Sequence, residues 1–368
     1  MVYEEEERAF ISNLPNECMH SIFLHCDDLK TKCIIARVCR RWRLLMLDNT
    51  NWKKATTSLV DFQRYMTKHK SWKLSRYLQQ LTTLHIRDLI STTNIFSPSM
   101  IPPKIIPFLQ LSSLKLDHLF YSDLLHIIEW LGPITKRLEC RNIRLGSHRN
   151  VCLTNFRKMP LLRVLILEFQ SRCAHTQPRV FNLTGRPVNI GRHFFKLKVL
   201  SFLNYYDTEE YSAPDMDGWH EMERVMHSKY SLFTIMKDLR SLSLNRCNAF
   251  TSSVWRGCLL PCAPNLRLLS LTGWEGRGYR QSPMEMALRE QRAGLMDLTL
   301  VPDEVELALA EFISCLASIK CIQLDGFQCG YGLVLGLERL GKEYRLSEGG
   351  TIGSFMDTRL NQFRITFI

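Results

Sequence analysis

Residues 12–52 read SNLPNECMHSIFLHCDDLKTKCIIARVCRRWRLLMLDNTNW. The stretch carries Leu14, Pro15, Ile22, Phe23, Leu29, Val38, Cys39, Trp42, Leu45 and Trp52 as apolar anchors. A segment of about forty residues cannot enclose so many large side chains by itself. The excess is expected to face another protein, which makes the stretch a docking device rather than a free-standing domain.

Local signals predict helices. Ser12 or Asn13 can cap a first helix, with Pro15 in the opening turn, where a missing N–H costs nothing. Glu17 suits the positive end of that helix. Cys18, Met19, Ile22, Phe23 and Cys26 recur at three- and four-residue steps and predict one shared face. Asp27-Asp28 offers a second cap, after which Ile34, Val38, Trp42 and Leu45 trace a second stripe beside Arg37, Arg40, Arg41 and Arg43. Trp52 falls on a short element beyond the turn at Asn49-Thr50-Asn51.

One reading of this pattern is a small helical cap on whatever follows. The order of the anchors is more specific. Leu14-Pro15, Ile22-Phe23, Val38-Cys39, Arg41-Trp42 and the late Trp52 resemble the F-box. Cys18 and Cys26 stand where Leu is usual in that family, and the interval from Phe23 to Val38 is one residue longer. The resemblance implies a three-helix fold over 10–55. It also implies that the anchors bind the Skp-type adaptor of a cullin–RING ubiquitin ligase.

From about residue 81 a second pattern begins: apolar, two residues, apolar, one residue, apolar. It runs through Leu81-Leu84-Ile86, Leu111-Leu114-Leu116, a degenerate Thr135-Leu138-Cys140, Leu162-Leu165-Leu167 and Leu197-Leu200-Phe202. It continues through Leu239-Leu242-Leu244, Leu266-Leu269-Leu271, Leu295-Leu298-Leu300 and Ile319-Ile322-Leu324, with Leu360-Phe363-Ile365 as a last candidate. Each copy predicts a short strand with alternate residues inward, then a return segment. Such a unit cannot bury its own apolar face, so neighbours must stack. Residues 123–131 and 304–316 read as helical returns.

These copies resemble leucine-rich repeats, although the usual Asn or Cys after the third apolar position is met only by Cys247. The whole chain is thus similar to the F-box/leucine-rich-repeat substrate receptors. The fold class is α plus α/β: an F-box, a helical junction over 56–80, and a solenoid of curved parallel strands over 81–368, interrupted by an acidic, aromatic insertion at 204–231.

In such a solenoid the residues between and after the inward positions face a target. They are His85, Arg87, Lys115, Asp117, Arg137, Glu139 and Arg141 in the early copies, then Val164, Ile166, Glu168, Val199, Ser201 and Leu203, and mostly small polar residues such as Ser241, Ser243, Ser270 and Thr272 in the later ones. The gradient from basic to apolar predicts an acidic or phosphorylated target segment on the early arc. A bare solvated surface would show the same residues.

Composition narrows the classes. The net charge of +12 is uneven: residues 81–200 carry 17 basic and 6 acidic groups, whereas 201–368 carry 17 and 21. The alternative reading is therefore a basic scaffold binding nucleic acid or another polyanion. Thirteen cysteines without a disulfide framework suit reduced thiols in cytoplasm or nucleus. No apolar run of eighteen residues predicts a membrane span, and the acidic MVYEEEERAF predicts no secretory leader.

No catalytic constellation is evident, and no cofactor or metal is expected. No Cys-x-x-Cys pair occurs; Cys258 and Cys262 have three residues between them and no second ligand pair nearby. Cys173 with His175, and His20 with His25, are weak as metal or nucleophile sets. The stretch 273–278 (GWEGRG) lacks the spacing and the Lys-Ser/Thr ending of a phosphate loop.

Overall fold

The computed structural model describes residues 11–58, 61, 79–87, 110–144, 153–170, 196–203, 227, 230–247, 251–273, 304–325, 330–346 and 362–367. The chain divides into two compact units, Met1–Asp117 and His118–Ile368.

In the first unit a 3-10 turn at Ile11–Asn13 precedes helices α1 (Asn16–His25), α2 (Leu29–Val38) and α3 (Arg40–Met46), and a second 3-10 turn follows at Asn49–Trp52. The three helices agree with the sequence expectation, but the first cap does not. Asn13 is used in the opening turn, and Pro15 itself occupies the cap with no side-chain hydrogen bond. Asp28 does cap α2: its carboxylate accepts from the Thr31 amide at 2.7 Å and the Thr31 hydroxyl at 2.8 Å. Cys39 caps α3, its sulfur accepting from the Trp42 amide at 3.4 Å.

Strands β1 (Lys54–Ser58), β2 (Thr83–Arg87) and β3 (Ser113–Asp117) then pair in parallel, with Thr56 beside His85 and His85 beside Lys115. The helical junction expected to start at residue 56 begins instead inside a strand. Its sequence, KATTS, is rich in β-branched residues. The Thr56 amide donates to the Asp27 carbonyl at 2.7 Å, which ties β1 to the loop between α1 and α2. Apart from residues 61, 79 and 80, the rest of that junction lies outside the described residues.

In the second unit β4 (Arg137–Ile143), β5 (Val164–Phe169), β6 (Val199–Leu203), β7 (Ser241–Cys247), β8 (Leu268–Gly273) and β9 (Cys321–Asp325) run parallel, each bonded to the next. The predicted apolar positions fall into register. One buried column is Leu138, Leu165, Leu200, Leu242, Leu269 and Ile322; the next is Cys140, Leu167, Phe202, Leu244, Leu271 and Leu324. Each such side chain contributes about 1.5–3 kcal/mol on leaving water, and only stacked neighbours make that burial available. The tail differs from expectation. β11 (Gln362–Phe367) is not a further parallel copy but runs antiparallel to β9, with β10 (Tyr344–Leu346) antiparallel on its far side.

A second ladder links successive repeats just before the strands. The carbonyl of Lys136 accepts from the Arg163 amide at 2.7 Å and the Val164 amide at 3.1 Å. The carbonyl of Arg163 does the same for Lys198 and Val199, that of Lys198 for Arg240 and Ser241, that of Arg240 for Arg267 and Leu268, and that of Arg267 for Lys320 and Cys321.

The return segments are only partly α-helical. α4 (Tyr121–Leu131) and α5 (Glu304–Ser314) match the expectation, and α6 (Gly330–Leu340) adds a helix that the sequence reading left out. Gly341, at φ +65°, ends α6 in the left-handed region that glycine adopts without strain. The returns at Leu153–Lys158, Ser231–Ile235 and Leu260–Asn265 are 3-10 turns, and Val254–Leu259 is a π-helical turn. In LPCAPN, Pro261 and Pro264 remove two amide donors, which forbids a continuous α-helix there. The copy at 295–300 and nearly all of the 204–231 insertion lie outside the described residues.

Candidate functional site

The N-terminal helices sort their apolar residues into two groups. Met19 and Phe23, four apart on α1, are buried together with Leu29, Ile35, Met46 and Trp52. The Trp42 ring meets Phe23 edge-on at a centroid distance of 5.3 Å, and the Trp52 indole N–H donates to the Met46 carbonyl at 2.6 Å. The expected shared face of α1 is thus split, since Cys18 and Ile22 lie on an exposed strip next to the buried one.

The second group faces outward. Ile22 is 42% exposed, Ile34 53%, Val38 54% and Leu44 60%, and Leu24 and Leu47 are exposed as well. Among the predicted anchors, Pro15 and Cys39 join Ile22 and Val38 on the surface; Leu14, Trp42 and Leu45 are half-buried; Phe23, Leu29 and Trp52 belong to the interior. Interior anchors set the positions of the helices, and exposed ones remain available to another molecule. The small interior is thus complete while large apolar side chains stay in water, the signature of an interaction surface.

Polar contacts hold this arrangement. Arg41 donates from Nε to the Asn16 side chain at 2.8 Å and from Nη2 to the Leu14 carbonyl, which fixes the start of α1 against α3. His20 lies 3.2 Å from the Asp48 carboxylate, and Asp48 also accepts from the Thr50 amide at 2.8 Å. That amide, together with the Thr50 hydroxyl, holds the Asp48 carboxyl below its ordinary range. Sequence reasoning missed Lys32. Its side chain is buried, and Nζ donates to the carbonyls of Asn51, at 2.6 Å, and of Lys54. A lysine on a basic helix gives no sequence signal of burial.

The strand faces hold the candidate target residues. In the first unit His85 and Lys115 are neighbours across β2 and β3 and are half-buried, whereas Arg87 is exposed. In the second unit Arg137 and Arg141 flank Glu139 on β4. Glu139 is only 4% exposed and accepts from Arg137 at 3.1 Å and from Arg141 at 2.7 Å. The two guanidinium groups therefore already serve a buried carboxylate, a pairing that the alternating sequence could have suggested. Ile166 stands beside Glu139 in register, and Leu203 beside Glu168; both are half-buried.

The nine cysteines whose side chains are described are free thiols. Cys258 and Cys262 are fully buried, and burial pushes both pKa values up to about 12, which keeps them protonated and inert. Cys173 and His175 lie outside the described residues, as does most of 273–278. Among the described residues no cluster of three metal-ligating side chains occurs, and no helix is long and apolar enough to cross a membrane.

Residues 11–58 match the F-box-like family, and this segment is an F-box-like domain. Domains of that class generally bind Skp-type adaptors. The matched segment includes all three helices and ends with β1, whose backbone is bonded to the α1–α2 loop. No curated protein matches the chain.

Proposed function

We propose that the protein is the target-recognition subunit of a Skp–cullin–F-box ubiquitin ligase. The F-box-like domain docks on the adaptor, and through it on the cullin and RING subunits. The repeating strands, read as an irregular leucine-rich-repeat solenoid, hold a protein target for ubiquitination and proteasomal degradation. The observation that carries this reading is the outward-facing set Ile22, Ile34, Val38 and Leu44 on a domain whose own interior is already filled.

The chain contributes no chemistry of its own in this role. It acts by raising the local concentration of target lysines near the charged carrier enzyme. The strand faces at His85, Arg87 and Lys115, and those at Ile166 and Leu203, offer surface to the target, while Arg137 and Arg141 stand on β4 with their guanidinium groups on Glu139. The free thiols agree with work in the cytoplasm or nucleus. The test is affinity purification of the tagged chain from cells. Adaptor, cullin and RING subunit should be recovered with the full chain and lost when residues 11–58 are removed. Recovery of none of them with the full chain contradicts the proposal.

A further inference from the structure

The ladder that links successive repeats of the second unit runs through Lys136, Arg163, Lys198, Arg240, Arg267 and Lys320. Six consecutive parallel strands thus carry a basic residue at the same place, immediately before the strand. Lys and Arg make up only 48 of 368 residues, so composition does not explain an unbroken file. Arg163 is half-buried and the other five are exposed.

Among the described residues nothing in the fold requires the file to be basic. The repeat-to-repeat bonds use backbone atoms, which any residue other than proline supplies. Among the described residues none of the six side chains pairs with a carboxylate; Arg163 donates to the Lys196 carbonyl at 3.1 Å. Adjacent strands lie about 4.8 Å apart, so like charges repeat at close range and work against the folded state. An exposed row of like charges is complementary to a ligand of opposite charge.

We propose that this basic file is the docking rail for an acidic, extended polypeptide segment of the target, laid across the strands. The neighbouring file, at the first strand residues, is Arg137, Val164, Val199, Ser241, Leu268 and Cys321, so three of its six places are aliphatic, and Leu268 is 49% exposed. An extended chain alternates its side chains, so a segment alternating acidic with apolar residues satisfies both files at once. No aromatic side chain stands in either file, so a nucleic acid would find no platform on which to stack its bases. Five steps of about 4.8 Å span about 24 Å, the reach of about seven extended residues. Arg137 and Arg141 are not the rail, because Glu139 already engages them.

This inference rests on the receptor reading and names the target class. Its test uses the purified full chain and a labelled seven-residue peptide alternating glutamate with valine or leucine, followed by fluorescence anisotropy. Binding should weaken about tenfold or more in Arg240→Glu/Arg267→Glu and weaken with added salt. It should change less than about twofold in Arg157→Glu/Arg339→Glu, which removes equal charge at exposed sites off the file. Arg240→Gln/Arg267→Gln should show an intermediate loss, and unchanged thermal unfolding of each variant establishes that the fold is intact. Equal loss from both reversal pairs, binding of a glutamine-for-glutamate peptide as tight as that of the acidic one, or displacement of the peptide by a tighter-binding thymidine oligonucleotide would each overturn it. Adaptor capture by Arg240→Glu/Arg267→Glu is measured in parallel. Capture retained without peptide binding in the wild type sinks this inference alone, and capture absent in the wild type sinks the receptor reading.

Discussion

Lys32 Nζ lies 2.6 Å from the backbone carbonyl of Asn51 and joins α2 to the turn that carries Trp52. Burial lowers the Lys32 pKa from its ordinary 10.5, with Asp27, Cys26 and Asp28 opposing the shift. The unfolded chain therefore holds this proton more tightly than the folded one. Stability contributed through Lys32 rises with pH between the lowered folded value and 10.5, and is smallest below that window. Lys32→Met leaves the Asn51 and Lys54 carbonyls without their donor. The expected loss is about 1–3 kcal/mol at neutral pH, together with loss of this part of the pH slope. Urea unfolding of both proteins at several pH values between 7 and 10 checks it; identical slopes would refute the assignment.

Glu139 is the charge around which β4 is arranged. Glu139→Ala removes an acceptor shared by two arginines and leaves a gap under them. Both guanidinium groups are close to half exposed, so solvent takes over much of their interaction and the expected loss is only about 1–2 kcal/mol. Glu139→Gln should recover part of it. A urea midpoint unmoved by Glu139→Ala would show that the pair is ornamental to stability.

Gly332 and Gly336 let α6 lie close against α5. A Cβ at Gly336 would fall 2.7 Å from the Ile313 Cβ, and one at Gly332 would fall 2.5 Å from the Glu306 carbonyl oxygen. Gly336→Leu should therefore lower stability by about 1–3 kcal/mol or more through overpacking, whereas Val334→Leu on the same helix should cost less. Thermal unfolding of the two variants distinguishes them.

The legible part of the sequence was the part with a period. Leucines at fixed spacing announced the strands of the second unit, and each described copy there is buried as expected. Residues 54–58 escaped because Lys-Ala-Thr-Thr-Ser has no large apolar side chain to count, although Ala55 and Thr57 point inward. α6 escaped because Gly330, Gly332 and Gly336 are poor helix formers on propensity alone, whereas Gly332 and Gly336 mark close helix contact. Periodicity located the apolar faces of α1 and α2 but could not say which would be covered. It grouped Phe23 with Ile22, and the fold buries one and exposes the other. The basic file was invisible because its positions fall just outside the apolar pattern, and only strand register aligns them.

The division between interior and surface in the first unit has its own test. Phe23→Ala removes a ring packed on Trp42 and should cost about 3–4 kcal/mol, enough to abolish both folding of the segment and adaptor binding. Ile22→Ser alters an exposed side chain and should leave the unfolding transition in place while weakening adaptor binding. Equal loss of stability in the two variants would contradict the placement of the two residues.

The most direct measurement is the affinity of the purified full chain for a purified Skp-type adaptor, compared with that of Ile34→Asp/Val38→Asp. Those two side chains are 53% and 54% exposed, so the variant should unfold at the wild-type urea concentration. If they are covered by the adaptor, burying two carboxylates in their place should weaken binding by a hundredfold or more, on the order expected for central interface residues. Wild-type affinity in the folded double variant would contradict the account.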